Sequence, residues 1–529
     1  MAKRAFIQDW FDTSPVNFAT DDSMPFLLVS LVTLLLYVFA NSNGRGSKPP
    51  LVNPPKWLDI RQSQPKLEFV KNSKELLRKG KEAFRGKPFR VRSERGDVTV
   101  LPFDMAHSMR NEHKLSFDRA VYDDFHAYIP GFEPVLAASN GEQPVRNVAM
   151  HQLTLVLSKL TEPLSSETAF AVKYIFGDNP GRDPALSICF NDNMLTQWLQ
   201  NGTTFRLKLC RNDEWLNITI NYSVDLFTAA KELGIWPKPL RPIVHWFLPS
   251  VRKLRTEIAD AREIITPLVV NRRSMRAAAV ASGKPEPRFN DAIDWFEEYF
   301  AGGKPYDPAM LQINLSVGAI HTTTDLLYWT MICIADNPAY FDELRREIVQ
   351  VLSTEGWKKT SLYNLKLLDS VIKEAQRLKP TSIANMRRMA EQDVDLPGGF
   401  HIKKGEKIVV SLTDMWSAER FERPLEFNGH RWLKLRNVPG KEHSAHLVAV
   451  TRDHIGFGLG EHACPGRFFA ANELKIVLSY LLLKYDWELV AGARPTVLAN
   501  GFSLTLDPKA KIRMRRRSEE INLETLSVE

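Results

Sequence analysis

The sequence predicts a mainly α-helical protein with small β-sheets, preceded by a single N-terminal transmembrane helix. In this chain of 529 residues, apolar side chains recur at helical spacing over long stretches, most clearly in 249–271 and 307–336. Strand-like alternation is confined to short segments such as 89–101. Near the N-terminus, residues 25–40 carry no charge at all. These patterns indicate one large helical domain behind a membrane anchor.

The uncharged segment PFLLVSLVTLLLYVFA is a short but sufficient anchor. At ~1.5 Å per residue it falls slightly below a hydrocarbon core of ~30 Å, which snorkelling flanks can compensate. A cleavable signal peptide is the alternative, because Val38-Phe39-Ala40 offers a cleavage site. The acidic leader and the few cysteines argue against it. The predicted division is a polar tail 1–24, an anchor 25–42, a proline-rich linker 43–57, a globular domain 58–518 and a C-terminal tail 519–529.

Basic residues determine the predicted orientation of the anchor. Arg45, Lys48 and Lys56 follow it closely, whereas Lys3 and Arg4 lie far upstream. By the positive-inside rule, the globular domain is therefore on the cytosolic side, as expected for a single-pass protein of the endoplasmic reticulum membrane.

The net charge of +8 and the pI of about 9.1 suit nucleic acid, an anionic membrane surface or an acidic protein partner. Zinc-finger spacings and RNA-binding signatures are missing from the sequence, so we expect no nucleic-acid partner. The cysteines Cys189, Cys210, Cys333 and Cys464 are widely spaced and form no CxxC. A disulfide framework is therefore not expected, and a reducing compartment is favoured.

The stretch FGLGEHACPGRFFA, residues 457–470, places Cys464 among glycines just before an apolar, helix-spaced run. The unpaired N–H groups of a helix N-terminus lower a thiol's pKa, so Cys464 is predisposed to be a thiolate, either nucleophile or metal ligand. A nucleophilic cysteine needs a His base that is oriented by a third group. His462 is near in sequence, but the sequence does not indicate which residue would orient it. A lone Cys is most often a small buried hydrophobe.

The full spacing F-G-x-G-x-H-x-C-x-G resembles the haem-binding signature of the cytochrome P450 family. This resemblance implies the cytochrome P450 fold and a haem b cofactor, with Cys464 as the axial thiolate ligand of the iron. It also implies that Phe457 packs beside the sulfur and that His462 reaches a haem propionate. Gly458 and Gly466 let the backbone approach the cofactor closely.

A second motif lies in the apolar helix predicted over 307–336. Gly318-Ala-Ile-His321-Thr322-Thr resembles the family's oxygen-binding segment, in which a small residue leaves a notch for dioxygen and an acid–alcohol pair relays protons. Thr322 matches the alcohol, and His321 occupies the position of the acid. A His can pass protons at neutral pH, but the alternative is a His that only hydrogen-bonds within the helix.

The remaining motifs follow in the order typical of the family. Glu374 and Arg377 have the ExxR spacing, which places them on one helix face. By resemblance, Arg431 is the third member of a buried structural triad beneath the haem. Arg388 is preferred over Arg387 for a propionate contact, because the hairpins that follow match the family from that register.

Three other segments take their interpretation from the resemblance. The region 111–134 is loop-like, rich in aromatic residues, and covers substrate in the family. The turn 501–504 is expected to touch substrate with its tip. The apolar cluster 243–248 dips into the membrane in anchored members, although such a run is more often part of the core.

Together these motifs predict a membrane-bound haem-thiolate monooxygenase that inserts one oxygen atom from O2 into an apolar small molecule. Electrons are expected from NADPH through a separate NADPH-cytochrome P450 reductase, because a GxGxxG dinucleotide motif is missing from the sequence. The substrate expected by analogy with fungal members is a terpenoid or a related secondary metabolite. A haem-thiolate isomerase or dehydratase, admitted by His321, and a non-enzymatic haem sensor are the alternatives.

Overall fold

The computed structural model describes residues 48–55, 63–139, 141–177, 186–189 (backbone only), 209, 211–490, 495–507 and 510–527. The predicted tail 1–24 and anchor 25–42 lie outside the described residues, as does part of the predicted linker 43–57. None of the described helices is both long enough and apolar enough to cross a bilayer. From Pro50 onward the chain forms one compact unit.

Helices dominate this unit, as predicted. In the described residues the α-helices are α1 Ser63–Ala83, α2 Ala106–Met109, α3 Phe117–Asp124, α4 Glu133–Ala138, α5 Pro144–Asn147, α6 Leu157–Phe176, α7 Asp213–Ile235, α8 Arg241–Val244, α9 Pro249–Ala281, α10 Ala292–Tyr299, α11 Pro308–Ala335, α12 Ala339–Glu355, α13 Lys359–Asn364, α14 Lys366–Leu378, α15 Arg431–Arg436 and α16 Arg467–Lys484. A π-helical segment, Val148–Leu153, follows α5.

The strands are short and form small sheets. They are β1 Phe89–Ser93, β2 Gly96–Leu101, β3 Leu115–Ser116, β4 Leu186–Cys189, β5 Ala384–Ala390, β6 Val394–Leu396, β7 Phe400–Ile402, β8 Lys407–Ser411, β9 Tyr485–Leu489, β10 Val497–Asn500, β11 Ser503–Leu506 and β12 Lys511–Arg516. One sheet has the order β1-β2-β8-β5-β3, with β2 and β8 parallel. Another has the order β4-β12-β9, and β6–β7 and β10–β11 are two-stranded.

Helix α11 runs through the middle of the helical layer. Its start is set by Asp307, whose side chain accepts a hydrogen bond from the Ala309 amide at 3.0 Å, and by Pro308 in the first turn. Because its residues are apolar on nearly every side, the helix is stable only when it is surrounded. It packs against α7, α9, α14 and α16, so it lies at the centre of the helical layer.

Two predicted segments differ from the structure. The region 111–134, expected to be loop-like, contains helix α3, whose start is capped by Ser116 accepting from the Arg119 amide at 3.1 Å. The helix predicted over 249–271 continues to Ala281 as α9, with Pro267 inside it. A proline removes one backbone hydrogen bond, and the long apolar face from Val251 to Val269 compensates for that loss by packing into the core.

The C-terminal residues are part of the core. Leu523 is 1% exposed and belongs to the same apolar cluster as Trp357. The Trp357 indole donates to the Leu523 carbonyl at 2.9 Å, and the Trp357 amide donates to the Ser527 carbonyl at the same distance. The tail predicted from residue 519 is therefore bound along the body of the protein as far as Ser527.

Candidate active site

The loop before α16 fixes Cys464 through its backbone. Gly458 and Gly460 adopt left-handed φ values of 80° and 76°, which glycine accepts at little cost. The chain then turns back, so that the Cys464 amide donates to the Phe457 carbonyl at 2.8 Å. The Phe457 ring packs against the main apolar cluster. Helix α16 begins three residues after Cys464, at Arg467.

Two opposing effects act on the Cys464 thiol. Burial raises its pKa and is the larger effect, whereas hydrogen bonds from the backbone N–H groups of Gly466 and Arg467 and the charge of Arg467 lower it. The net pKa lies above the usual value, so the helix N-terminus alone does not produce the predicted thiolate. A bound metal ion deprotonates a coordinating thiol outright, and a metal partner would therefore change the charge state of this sulfur.

A basic cluster, formed by Arg146, Arg388 and His462, lies beside this loop. Burial, followed by the charges of Arg388 and Arg146, lowers the pKa of His462 to about 4. The Phe117 ring connects two members, with its centroid 6.1 Å from the His462 ring and 5.9 Å from the Arg388 guanidinium carbon. Arg146 donates to the Glu461 carbonyl at 2.7 Å. The cluster therefore offers positive charge to an anionic group next to the cysteine loop.

The two consecutive arginines of β5 point to different partners. Arg387 forms an ion pair with the buried carboxylate of Asp124 at 3.0 Å. Arg388 donates only to the Arg387 carbonyl, at 2.7 Å, among the hydrogen bonds seen in the described residues, and it lies beside His462. Arg387 is thus already paired, whereas the Arg388 side chain is available for an anion; its contact with a haem propionate stays a prediction.

Sequence reasoning missed Arg146. The motifs of the sequence do not include residues 146–152, so the sequence predicts no cofactor contact there. The structure nevertheless places Arg146 in the basic cluster, and its Nε is buried without a hydrogen-bond partner in the described part of the chain. The one available signal was that Arg146 is the only Lys, Arg, Asp or Glu between Gln143 and Leu153.

Helix α11 has one accessible face in the middle of an otherwise buried stretch. We call Gly318, Thr322 and Asp325 the open face; the spacings of four and three residues place them on one side of the helix. Gly318 and Thr322 are exposed, and the Asp325 side chain is 21% exposed. A Cβ added at Gly318 would meet no atom within 4 Å. The Thr322 hydroxyl donates to the Gly318 carbonyl at 3.1 Å.

His321 lies on a different side of α11. Its imidazole is half-buried and hydrogen-bonds to the backbone of Ile220 in α7, which raises its pKa, although burial has the larger effect and lowers it. The ring is thus held by a neighbouring helix, whereas the alternative weighed from the sequence was a bond within its own helix. Its predicted part in proton relay stays a prediction.

The ExxR residues and Arg431 meet around one buried carboxylate. Arg377 donates to both oxygens of Glu374, at 3.0 and 2.8 Å, and both side chains are fully buried. The Arg431 Nε donates to Glu374 Oε1 at 3.0 Å. The Trp432 indole adds a fourth member by donating to Oε2 at 3.1 Å. Bidentate hydrogen bonds satisfy a buried charge in this way, so the group joins α14 to α15.

The sequence matches the family described as Cytochrome P450 over residues 71–514. The chain belongs to the cytochrome P450 family. Cytochrome P450 monooxygenase eqxH of Fusarium heterosporum is 42% identical over 491 residues, covering 91% of this chain and 93% of the relative. Cytochrome P450 monooxygenase hepE of Aspergillus oryzae is 42% identical, covering 90% and 87%. Cytochrome P450 monooxygenase adrA of Penicillium rubens is 39% identical, covering 94% and 97%.

This cytochrome P450 is therefore a monooxygenase whose cofactor is haem with a cysteine thiolate as iron ligand. The residues of the site fit that cofactor. Cys464 would supply the sulfur, and the buried Nε of Arg146, which has no hydrogen-bond partner in the described residues, lies where an anionic group would sit beside Arg388 and His462. Gly466, like Gly318, has no atom within 4 Å of an added Cβ, so there is open space beside the cysteine loop.

Proposed function

We propose that this cytochrome P450 is a membrane-bound enzyme that inserts one oxygen atom from O2 into a C–H or C=C bond of a terpenoid or related secondary metabolite. Electrons come from NADPH through a separate reductase. The observation that carries the proposal is the open face of α11, where a threonine hydroxyl and a glycine are accessible in the middle of a buried apolar helix. An accessible hydroxyl on an apolar helix suits oxygenation of an apolar molecule, because it can hold a proton beside the substrate.

In this proposal Cys464 binds the iron, and Arg146, Arg388 and His462 hold the cofactor's carboxylates. When bound, the haem supplies oxygen binding and the oxidising chemistry of the reaction. Phe457 packs beside the loop, and Gly458 gives the loop its turn.

In the proposed reaction, the Thr322 hydroxyl relays protons. Its hydroxyl hydrogen points to the Gly318 carbonyl in this conformation, and rotation about the Cβ–Oγ1 bond turns the same proton toward the open face. His321 holds α11 against α7 through Ile220. A direct part for His321 in the relay remains part of the proposal, because imidazole exchanges protons at neutral pH.

Membrane binding is supported by two features. The first is the predicted anchor 25–42. The second is an apolar patch at the end of α8, formed by Ile243, Trp246 and Phe247, which are 60%, 55% and 74% exposed. Exposed clusters of this kind mark membrane or protein contacts in soluble domains. We place the enzyme in the endoplasmic reticulum membrane with its globular domain in the cytosol.

The reductase is proposed because a dinucleotide-binding motif is missing from the chain and because its net charge of +8 suits an acidic partner. Next to the cysteine loop, a groove of about 380 Å³ is lined by Arg110, Arg452 and Leu459, among others. Arg452 has 69% of its side chain exposed.

The substrate class is supported by the resemblance to terpenoid-modifying fungal members and by the fungal source of the relatives.

The test is an incubation of microsomes containing the protein, a reductase and NADPH with a panel of apolar terpenoids under ¹⁸O-labelled O2. We expect a product heavier by one labelled oxygen atom, lost completely in Cys464→Ala. Cys333→Ala is the matched control, because Cys333 is a buried cysteine of the core cluster.

A rearranged product of unchanged mass, formed without NADPH, would contradict the proposal and favour the isomerase, the alternative that His321 admits. Haem binding without turnover of any panel member would favour the haem sensor.

A further inference from the structure

A buried carboxylate at the turn between β1 and β2 has one oxygen without a partner. Glu94 is 5% exposed, and its Oε2 makes no hydrogen bond within the described residues. The other oxygen lies 3.5 Å from the Arg95 Nε. A buried acceptor without a hydrogen-bond donor is costly, so its oxygen marks a position where a water molecule or a ligand can donate a hydrogen bond.

Glu94 lines a cavity of about 20 Å³. The other lining residues are Arg95, Asp124, Phe125, Phe227, Ala230, Lys231 and Ser503. The volume has room for one water-sized polar group.

The walls of this cavity leave Glu94 as the acceptor for a ligand. The Asp124 carboxylate is already bound by Lys407 and Arg387. On the apolar side, Phe125 and Phe227 meet edge to face with their centroids 5.4 Å apart. These rings form an apolar wall of the cavity that holds the unpaired Glu94 oxygen.

The cavity is joined to the open face of α11 through a short chain of contacts. Ser503 is followed by Leu504, whose carbonyl accepts from the Lys379 Nζ at 3.3 Å. The same Nζ donates to the Asp325 carboxylate on the open face. Ser503, a lining residue of the cavity, and Asp325 of the open face are therefore linked by one peptide step and the two hydrogen bonds of the Lys379 Nζ.

We infer that Glu94 is a specificity-determining residue that accepts a hydrogen bond from a hydroxyl or amide N–H of the substrate, at the end remote from Thr322. An uncharged donor fits, because Arg95 and Lys231 already supply positive charge at the cavity and the charge of Glu94 acts on Lys231. The inference rests on the proposed function, since it concerns how the proposed apolar substrate is oriented.

The test measures equilibrium binding of terpenoid alcohols, each paired with its methyl ether, to the haem-loaded full chain through the change in haem absorption. Farnesol, geraniol and nerolidol with their ethers are the probes. At least one alcohol should bind about tenfold or more tightly than its ether, as expected for a hydrogen bond to a charged acceptor. Glu94→Leu should remove this preference and leave the ether's affinity unchanged. Glu94→Gln, which keeps an acceptor, should retain part of it.

Glu75→Leu is the control, because Glu75 is an exposed glutamate outside the cavity lining and its loss should leave the preference intact. Haem content and thermal unfolding are measured for every variant, so that a folding defect is recognised. If no alcohol binds more tightly than its ether, or if Glu94→Leu keeps the preference, the inference is overturned and the Glu94 oxygen binds water only. Because binding needs neither reductase nor NADPH, this result is separate from the oxygenation test of the proposed function.

Discussion

Lys379 donates from its Nζ to the carboxylate of Asp325, three residues beyond Thr322 on helix α11. Lys379 is 1% exposed, and its Nζ also reaches the Leu504 carbonyl of β11. This pair joins three segments around the open face: α11, the residue after α14, and the hairpin strand next to the Glu94 cavity. Burial raises the pKa of Asp325, and the neighbouring Lys379 opposes that rise.

Lys379→Met should destabilise the protein by ~1–3 kcal/mol, because it leaves the partly buried carboxylate of Asp325 without its charged hydrogen-bond donor. The double variant Lys379→Met with Asp325→Leu should recover much of the loss, since both charges are then gone. The free energy of unfolding in urea, followed by circular dichroism, measures both. If Lys379→Met is as stable as the wild type, the Asp325–Lys379 pair makes no net contribution to the free energy of unfolding.

Substitution of Glu374 should lower the free energy of unfolding far more than the common ExxR spacing suggests. Glu374→Gln weakens the hydrogen bonds to Arg377 and Arg431 and leaves both guanidiniums without a counter-charge, so we expect a loss of ~3–5 kcal/mol and little haem incorporation. Glu75→Gln is the matched control, because Glu75 pairs with Arg78 at the same i, i+3 spacing but on an exposed face. That variant should leave unfolding unchanged within error. Similar losses in the two variants would refute the special role of burial.

Residues whose roles depend on local spacing were accessible from the sequence. The cysteine loop, helix α11 and the ExxR pair each lie within one short segment, so their local geometry follows from the sequence. The roles predicted for their residues stay predictions. The Asp325–Lys379 pair and the Glu94 cavity were not predictable, because their members are distant in the chain and meet only through tertiary packing. The same holds for Arg146, whose neighbour Glu461 is 315 positions away.

The orientation of His321 shows a second limit. The sequence places it beside Thr322, yet successive residues of a helix point about 100° apart. Which of the two residues is accessible depends on the helices packed around α11. In the structure Thr322 lies on the open face and His321 hydrogen-bonds to the backbone of Ile220.

Gly460 should be essential to the cysteine loop for a steric reason beyond its φ. An added Cβ would lie 2.8 Å from the Arg110 carbonyl oxygen and would also clash with the Asn111 side chain. Gly460→Ala should therefore lower the haem-to-protein ratio severalfold. Gly405→Ala is the control, because Gly405 has a similar φ of 83° but no atom within 4 Å of an added Cβ. If both variants lose haem equally, backbone strain alone is the cause.

The apolar patch at the end of α8 should bind lipid in its own right. Replacing both Trp246 and Phe247 by Ser should reduce co-sedimentation of the chain from Lys48 onward with anionic vesicles by about tenfold or more, because two large apolar side chains no longer enter the interface. Leu425→Ser is the control, since Leu425 is 76% exposed and lies outside the patch. Unchanged sedimentation of the double variant would exclude the patch from membrane binding.

Buried His126 should make the protein sensitive to acid. Its Nε2 donates to the Ala230 carbonyl at 3.0 Å, and its Nδ1 accepts from Arg241 at 3.2 Å, so the neutral ring uses both nitrogens. Burial, and then the charges of Arg241 and Lys407, lower its pKa to about 4, although Asp123 opposes them. Because the folded pKa lies below the unfolded value of about 6.5, only the unfolded chain takes up this proton as pH falls through that window.

Between pH 7.5 and pH 5.0 this linkage removes about 2 kcal/mol of stability. His126→Gln, which cannot titrate, should therefore lose about 2 kcal/mol less than the wild type over the same interval, as measured by urea unfolding at both pH values. His401→Gln is the control with the opposite sign, because hydrogen bonding to Asp395 raises the pKa of this exposed histidine. His401→Gln should not reduce the loss of stability on acidification. If His126→Gln and the wild type lose the same stability between the two pH values, His126 is not held neutral in the folded protein.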